Sequence, residues 1–280
     1  MRPIGELATA ARRAIRGVLT DLDDTLTTDG RLTAAAYGAL ERLSEAGMSC
    51  VVITGRPAGW CDHIARMWPV DAVVGENGAF YFRYDRDRRR MIRRYVLPSE
   101  RRAADRRRLE RIRDRVLAEV PGSAVAADQT YREADLAIDV CEDVARLSDA
   151  AVDRIVAIFE AEGARAKVSS IHVNGWFGAF DKLSTTRLLL AESFAVDLDA
   201  TRDRWVFVGD SPNDGPMFAF FPHAVGVANV RDFAGRLEAT PAYVTSGRSA
   251  AGFVELVDAL LAARTAGDDG ANDPASGITA

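Results

Sequence analysis

The stretch Val18-Leu19-Thr20-Asp21-Leu22-Asp23-Asp24-Thr25-Leu26-Thr27 places three carboxylates within four residues, directly behind an apolar run. Like charges that close repel by several kcal/mol unless a cation or a shared proton compensates. Partners recur further along, at the ends of apolar runs that read as strands. Thr54-Gly55-Arg56 follows SCVVIT, and Gly209-Asp210-Ser211-Pro212-Asn213-Asp214 follows DRWVFV. Lys182 opens a helix-like segment shortly before the second of these.

Clustered acids, a hydroxyl and a lysine suit phosphoryl transfer. A phosphate ester repels an anionic nucleophile, so positive charge must first be collected. Mg²⁺, a hard cation, takes one or two carboxylates together with phosphate oxygens. Asp21 can serve as ligand and nucleophile, with Asp210 as a second carboxylate and Asp23 lending a backbone carbonyl. Lys182 is a point charge for the transferring group. The Thr54 hydroxyl and backbone N–H groups around Gly55 can hold the equatorial oxygens. Asp23, two residues after Asp21, is placed to protonate the leaving oxygen and then to activate water.

The elements that must position these groups come in two textures. Up to about residue 82, short apolar runs (16–20, 49–54, 71–74) alternate with helical patterns (33–46, 57–67), which predicts βαβ units and a parallel sheet. From Arg83 the texture changes. RYDRDRRRMIRRYVL predicts two strands around a polar turn, and residues 98–119 a long basic helix. A strand at 134–140, a helix at 148–162 and a strand at 166–173 follow, a β-α-β-β-α-β-like α+β mixture. The first texture then resumes with helices at 181–194, 213–221 and 248–263 and strands at 203–208, 224–227 and 242–244. The chain is predicted to be one α/β domain interrupted by an inserted module.

At 280 residues, 48% hydrophobic and 28% charged, the composition is that of an ordinary globular protein. A net charge of −5 selects no polyanionic partner. Only Lys167 and Lys182 are lysines among 36 basic residues, so each stands out. Cys50, Cys61 and Cys141 lack metal-type spacing and are expected to be free thiols in a reducing compartment. No apolar run approaches a membrane span and the start lacks a signal-peptide core, so a cytoplasmic location is expected.

DLDDT resembles the D-x-D-x-T signature of the haloacid dehalogenase-like (HAD) phosphohydrolases, and ITGR, Lys182 and GDSPND follow in that superfamily's order. The inserted module lies where the superfamily's type II caps lie. Glu76-Asn77-Gly78-Ala79 looks like the ENGA stretch before the cap in subgroup IIB. That subgroup includes Cof-type sugar phosphatases, sucrose-phosphate and mannosyl-3-phosphoglycerate phosphatases, and eukaryotic-type phosphomannomutases. Asp24 departs from the pattern, since these proteins often carry Gly there; it is expected to face outward.

The resemblance implies a Rossmann-like doubly wound parallel-sheet core (1–82 and 180–264) with an inserted α+β cap of type C2B (83–179) and a disordered tail (265–280). It implies Asp21 as nucleophile, Asp23 as general acid/base, and Thr54, Gly55 and Lys182 at the phosphate. Asp21, Asp23 and Asp210 would hold Mg²⁺, with Asn213 and Asp214 orienting Lys182 or the metal's water. The expected activity is a Mg²⁺-dependent phosphatase for a small phosphorylated metabolite, a sugar phosphate first, through an aspartyl-phosphate on Asp21. A phosphomannomutase-like sugar phosphomutase is the alternative. A signalling receiver domain shares the Asp, Thr, Lys and Mg²⁺ set, but the inserted module and the late GDSPND stretch speak against it.

Four residues are candidates for reading the leaving group: Asn77, His172, Asn174 and Trp176. The competing explanations are a left-handed turn at Asn77 and, for the others, a strand end with a packed Trp. Asp128, Gln129, Tyr131 and Arg132 are lesser candidates. Residues 83–115 hold fifteen Arg and six acidic residues. A nucleic-acid-binding face is one reading; the interspersed acids favour a solvated, ion-paired helix face.

Overall fold

The computed structural model describes residues 1–268. The strands, in chain order, begin with β1 (Arg2–Pro3), β2 (Gly17–Thr20), β3 (Ser49–Ile53), β4 (Ala72–Gly75), β5 (Phe80–Asp85) and β6 (Arg90–Tyr95). Then come β7 (Ala124–Val125), β8 (Asp135–Asp139), β9 (Arg165–Val168), β10 (His172–Trp176), β11 (Trp205–Gly209), β12 (Val225–Gly226) and β13 (Tyr243–Val244). The helices are α1 (Thr9–Ala14), α2 (Ala34–Glu45), α3 (Ala58–Met67), α4 (Ser99–Glu119), α5 (Asp149–Ala161), α6 (Lys182–Phe194), α7 (Leu198–Thr201), α8 (Gly215–Phe220) and α9 (Ser249–Asp268).

Nine strands form the main sheet in the order β1-β13-β12-β11-β2-β3-β4-β5-β6, all parallel except β5, which runs antiparallel to both β4 and β6. Successive side chains leave a strand on opposite faces, and both faces here are covered. Val18, Val52 and Val206 pack with α2 and α9, whereas Leu19, Val51 and Phe207 pack with Leu189 of α6 and Met217 of α8. That is why these strands read as unbroken apolar runs instead of alternating ones. It is the expected doubly wound α/β core.

The second sheet, antiparallel in the order β7-β8-β10-β9, belongs to the insertion. One face carries Leu136, Ile138 and Val173, packed against Leu109 and Val116 of α4 and Ile155 and Phe159 of α5. The alternate residues, Asp135, Asp139, His172, Asn174 and Trp176, turn the other way, toward the core crevice.

Three expectations need correction. The β5–β6 hairpin extends the main sheet and does not open the insertion, so the boundary placed at residue 83 falls after Tyr95. Phe80 and Phe82 stack at 4.4 Å, and the Tyr95 ring meets both edge-on, which ties the hairpin to the core. Its arginines lie on the sheet's last strand, where charge discourages pairing with another chain. The segment 166–173 is two strands joined by a turn, because Ser169 Oγ accepts from the Ile171 and His172 N–H groups. The insertion therefore runs α-β-β-α-β-β. Finally, α9 reaches Asp268; of the tail expected at 265–280, residues 269–280 lie outside the described residues.

Candidate functional site

Strand β2 sits between β11 and β3, with Thr20 paired to both Val208 and Val52. The chain leaves all three strands at the same edge, so Asp21, Thr54 and Asp210 are neighbours by construction. Open α/β sheets place their ligand crevice at this edge.

Lys182 Nζ donates to Asp21 Oδ1 at 2.6 Å and to Asp214 Oδ1 at 2.7 Å, with all three side chains buried. Asp214 Oδ2 accepts from the backbone N–H groups of Asp210 (3.0 Å) and Ser211 (3.3 Å), so both its oxygens are engaged. Asp210 is approached by Thr25 Oγ1 at 3.4 Å and by Asn229 Nδ2 at 3.1 Å. Oxygens of Asp21, Asp210 and Asp214 lie within 4.8 Å of one another.

Three buried carboxylates thus face one ammonium. Burial pushes Asp21 up to about 8, and Asp214 and Asp23 add to this against the pull of Lys182. Burial likewise lifts Asp210 well above the carboxylate range, with Asp21, Asp214 and Asp24 repelling it further. Burial would lower Lys182, but Asp21 and Asp214 hold it above its ordinary value. An all-oxygen, charge-deficient cluster of this kind fits a divalent cation such as Mg²⁺. Asp21 and Asp210 are the residues placed to hold one, since Asp214 already serves Lys182 and the backbone.

Thr54 Oγ1 accepts from the Arg56 N–H at 3.0 Å, which leaves its own proton to donate elsewhere. Gly55 has Asn77 and Asn174 against it; a Cβ would come 3.1 Å from Asn77 Nδ2 and 3.4 Å from Asn174 Oδ1. Asp23 is held by Arg56, whose Nε lies 3.0 and 3.1 Å from its two oxygens. Burial raises Asp23, opposed by Arg56 and His172.

Residues 18–103 match the model of the haloacid dehalogenase-like hydrolases. Among curated proteins none matches by sequence. Among solved structures, a protein of Thermoplasma acidophilum is 17% identical with a TM-score of 0.65, over 88% of this chain and 98% of that one. A HAD/COF-like hydrolase from Plasmodium vivax is 15% identical (TM-score 0.64, 91% and 99%). The sucrose-phosphatase of Synechocystis sp. PCC6803, in complex with sucrose and phosphate, is 15% identical (TM-score 0.59, 89% and 98%). At such identities the likeness speaks for the fold, inserted module included.

In this chain the cap is tied down around Arg56, which the sequence reading passed over although it stands in the quoted ITGR. Besides Asp23, its guanidinium reaches Glu142 Oε1 at 2.5 Å and Asp128 Oδ2 at 3.3 Å, both on the cap. His172 Nε2 lies 2.8 Å from Glu142 Oε2. Burial would raise Glu142, but His172 and Arg56 outweigh it and press it down to about 2. Removing this hub leaves several charges without a partner, so Arg56→Ala should cost on the order of 3 kcal/mol or more in urea unfolding. Arg56→Lys should restore little, because an ammonium cannot span the fork.

Glu76 of the ENGA stretch was also missed as a functional position. Fully buried, it accepts from the backbone N–H groups of Ala58 on the core and of Glu133, Ala134 and Asp135 on the cap. No periodicity announces such a clamp. The lesser candidates serve the same junction. Arg132 binds Asp128, Asp135 and the Gly55 carbonyl, and Gln129 bonds the backbone of β8. Tyr131 is exposed.

The four leaving-group candidates separate. Asn77 has φ 54°, accepts from Asn213 Nδ2 at 3.4 Å, and its own Nδ2 is buried without a partner. Asn174 Nδ2 donates to Asp135, with its oxygen close to Gly55. His172 is committed to Glu142. Trp176 stacks on Phe180 and donates to its carbonyl at 3.3 Å, so its role is packing. Asp24 takes φ 55°, the left-handed conformation that explains why Gly suits this position in relatives, and its carbonyl accepts from Asn229.

Between Asp21, Asp23, Arg56 and the cap turn 169–172 only about 10 Å³ is free. A group the size of a phosphate would enter there only if that turn lifted. Gly209 leaves no room either: a Cβ there would sit 2.3 Å from Asp214 Oδ2. Gly209→Ala should therefore displace the Asp214 carboxylate and with it Lys182, lowering turnover by about tenfold or more by disturbing preorganised charge. Steady-state kinetics checks this. The arginine-rich segment is extensively ion-paired, as in Arg101 and Arg108 with Asp105, and Arg115 with Glu119 and Glu162. No helix among the described residues is long and apolar enough to cross a membrane.

Proposed function

We propose that this protein is a Mg²⁺-dependent phosphatase that hydrolyses a small phosphorylated metabolite, a sugar phosphate first among them. The observation that carries the reading is the sharing of Lys182 between Asp21 and Asp214 beside Asp210, at the ends of adjoining strands. The structural likeness to a sucrose-phosphatase, and to a trehalose-6-phosphate phosphatase related protein, supports the substrate class.

An Asp21 oxygen attacks phosphorus as the bond to the leaving oxygen breaks, and Asp23 gives that oxygen its proton. Asp23 then takes a proton from water, which attacks the acyl-phosphate, releasing phosphate and regenerating the Asp21 carboxylate. Asp21, Asp210 and the Asp23 carbonyl would hold Mg²⁺, which would supply the positive charge that lets an anion approach an anion. Lys182 balances charge on the transferring group and fixes the Asp21 carboxylate, while Thr54 and Gly55 donate to phosphate oxygens. Arg56 orients Asp23. Phosphate release from a panel of phosphorylated sugars is the test. Release with Mg²⁺ and its loss on chelation is expected; release unchanged by chelation, or none from any ester, would overturn the reading.

A further inference from the structure

The crevice-facing side of the cap sheet carries two cations that none of the chemistry above employs. Arg165 pairs with Trp176 and Lys167 with Asn174 in the β9–β10 ladder, so both stand on the face opposite the cap's apolar core. Together with Asn77, Trp176, Asn213 and Lys182 they line a cavity of about 360 Å³ between cap and core. That is the size of an ordinary small-molecule site. Lys182 connects it to the cluster that would hold phosphate.

Its donors are only partly engaged. Asn77 Nδ2 is buried there with no partner. Among the described residues Arg165 makes no ion pair, and Lys167 meets only Glu238, at 2.9 Å, a carboxylate 72% exposed. A pair that open to water is weak and yields to a better anion. Of the acids on the wall, Asp181 is occupied in capping α6, and Glu160 is exposed. The acids near the same sheet face behave differently, since Asp135, across Trp176 from Arg165, and Glu142 are already neutralised by Arg132 and Arg56.

We propose that the substrate's leaving group carries a second anionic group, a carboxylate or another phosphate, received by Arg165 and Lys167. The inference rests on the phosphatase reading and narrows it from neutral sugar phosphates to acidic ones. The guanidinium fork and the ammonium match carboxylate and phosphate oxygens alike.

The test compares kcat/KM for glucose 6-phosphate, 6-phosphogluconate and fructose 1,6-bisphosphate, in the wild type and in Arg165→Met/Lys167→Met. The wild type should prefer at least one of the two acidic esters by about tenfold, as a single charge-assisted contact allows. Which one is preferred tells carboxylate from phosphate. In the double variant that preference should fall toward one, and Lys167→Arg alone should keep it. Equal hydrolysis of all three esters by the wild type, or a preference that survives in the double variant, would overturn the proposal. No release from any ester with Mg²⁺ present would instead sink the phosphatase reading, and this inference with it.

Discussion

Asp21→Asn should fold and turn nothing over. The substitution keeps the side chain's shape and removes only its nucleophilic charge, so the rate should drop on the order of a thousandfold or more. Stability should not fall with it. Burial and the neighbouring acids already push Asp21 up to about 8, so a neutral amide relieves repulsion in the metal-free protein. Thermal unfolding in chelator should show a Tm equal to or above that of the wild type. A variant that is inactive because it is unfolded would point to a structural role only.

Lys182→Met should do the reverse, costing stability as well as turnover. Among the described residues its ammonium is the one cation bonded to both Asp21 and Asp214. Taking away one partner of a buried ion pair costs about 3–5 kcal/mol, because the other charges are left uncompensated. The loss should depend on pH with a definite sign. Asp21 is already raised in the folded state, and without Lys182 it rises further, so the folded protein binds protons more readily than the unfolded chain. The deficit relative to the wild type, in which Asp21 sits at about 8, should therefore be largest above that pH and shrink as pH falls to about 8. Urea unfolding of both proteins at several pH values reads this directly. A deficit that does not change with pH would mean that Lys182 stabilises by packing alone.

The core of the site was legible because each part sits where a strand ends. Val18 to Thr20, Cys50 to Ile53 and Val206 to Val208 are buried on both faces, so their apolar runs mark the strands. The polar residues after them had one crevice to face. The cap was harder. Val168 to His172 reads as continuous β-forming sequence, and only the hydrogen bonds of Ser169 turn it back on itself. The β5–β6 hairpin was legible as two strands, but not as part of the main sheet, because its arginines mask the Phe80 and Phe82 anchors. Arg56, Glu76 and Glu142 act across two domains between residues far apart in the chain. Spacing along one segment carries no trace of such a junction.

The central claim is that the carboxylate of Asp21 becomes bonded to phosphorus during turnover. Acid quenching of the enzyme with a ³²P-labelled sugar phosphate and Mg²⁺, followed by peptide mapping, measures it. The label should sit on Asp21, be labile to base as an acyl-phosphate is, and vanish in Asp21→Asn. Label found on Asp23 or a histidine, or steady phosphate release with no covalent label at any time, would contradict the account.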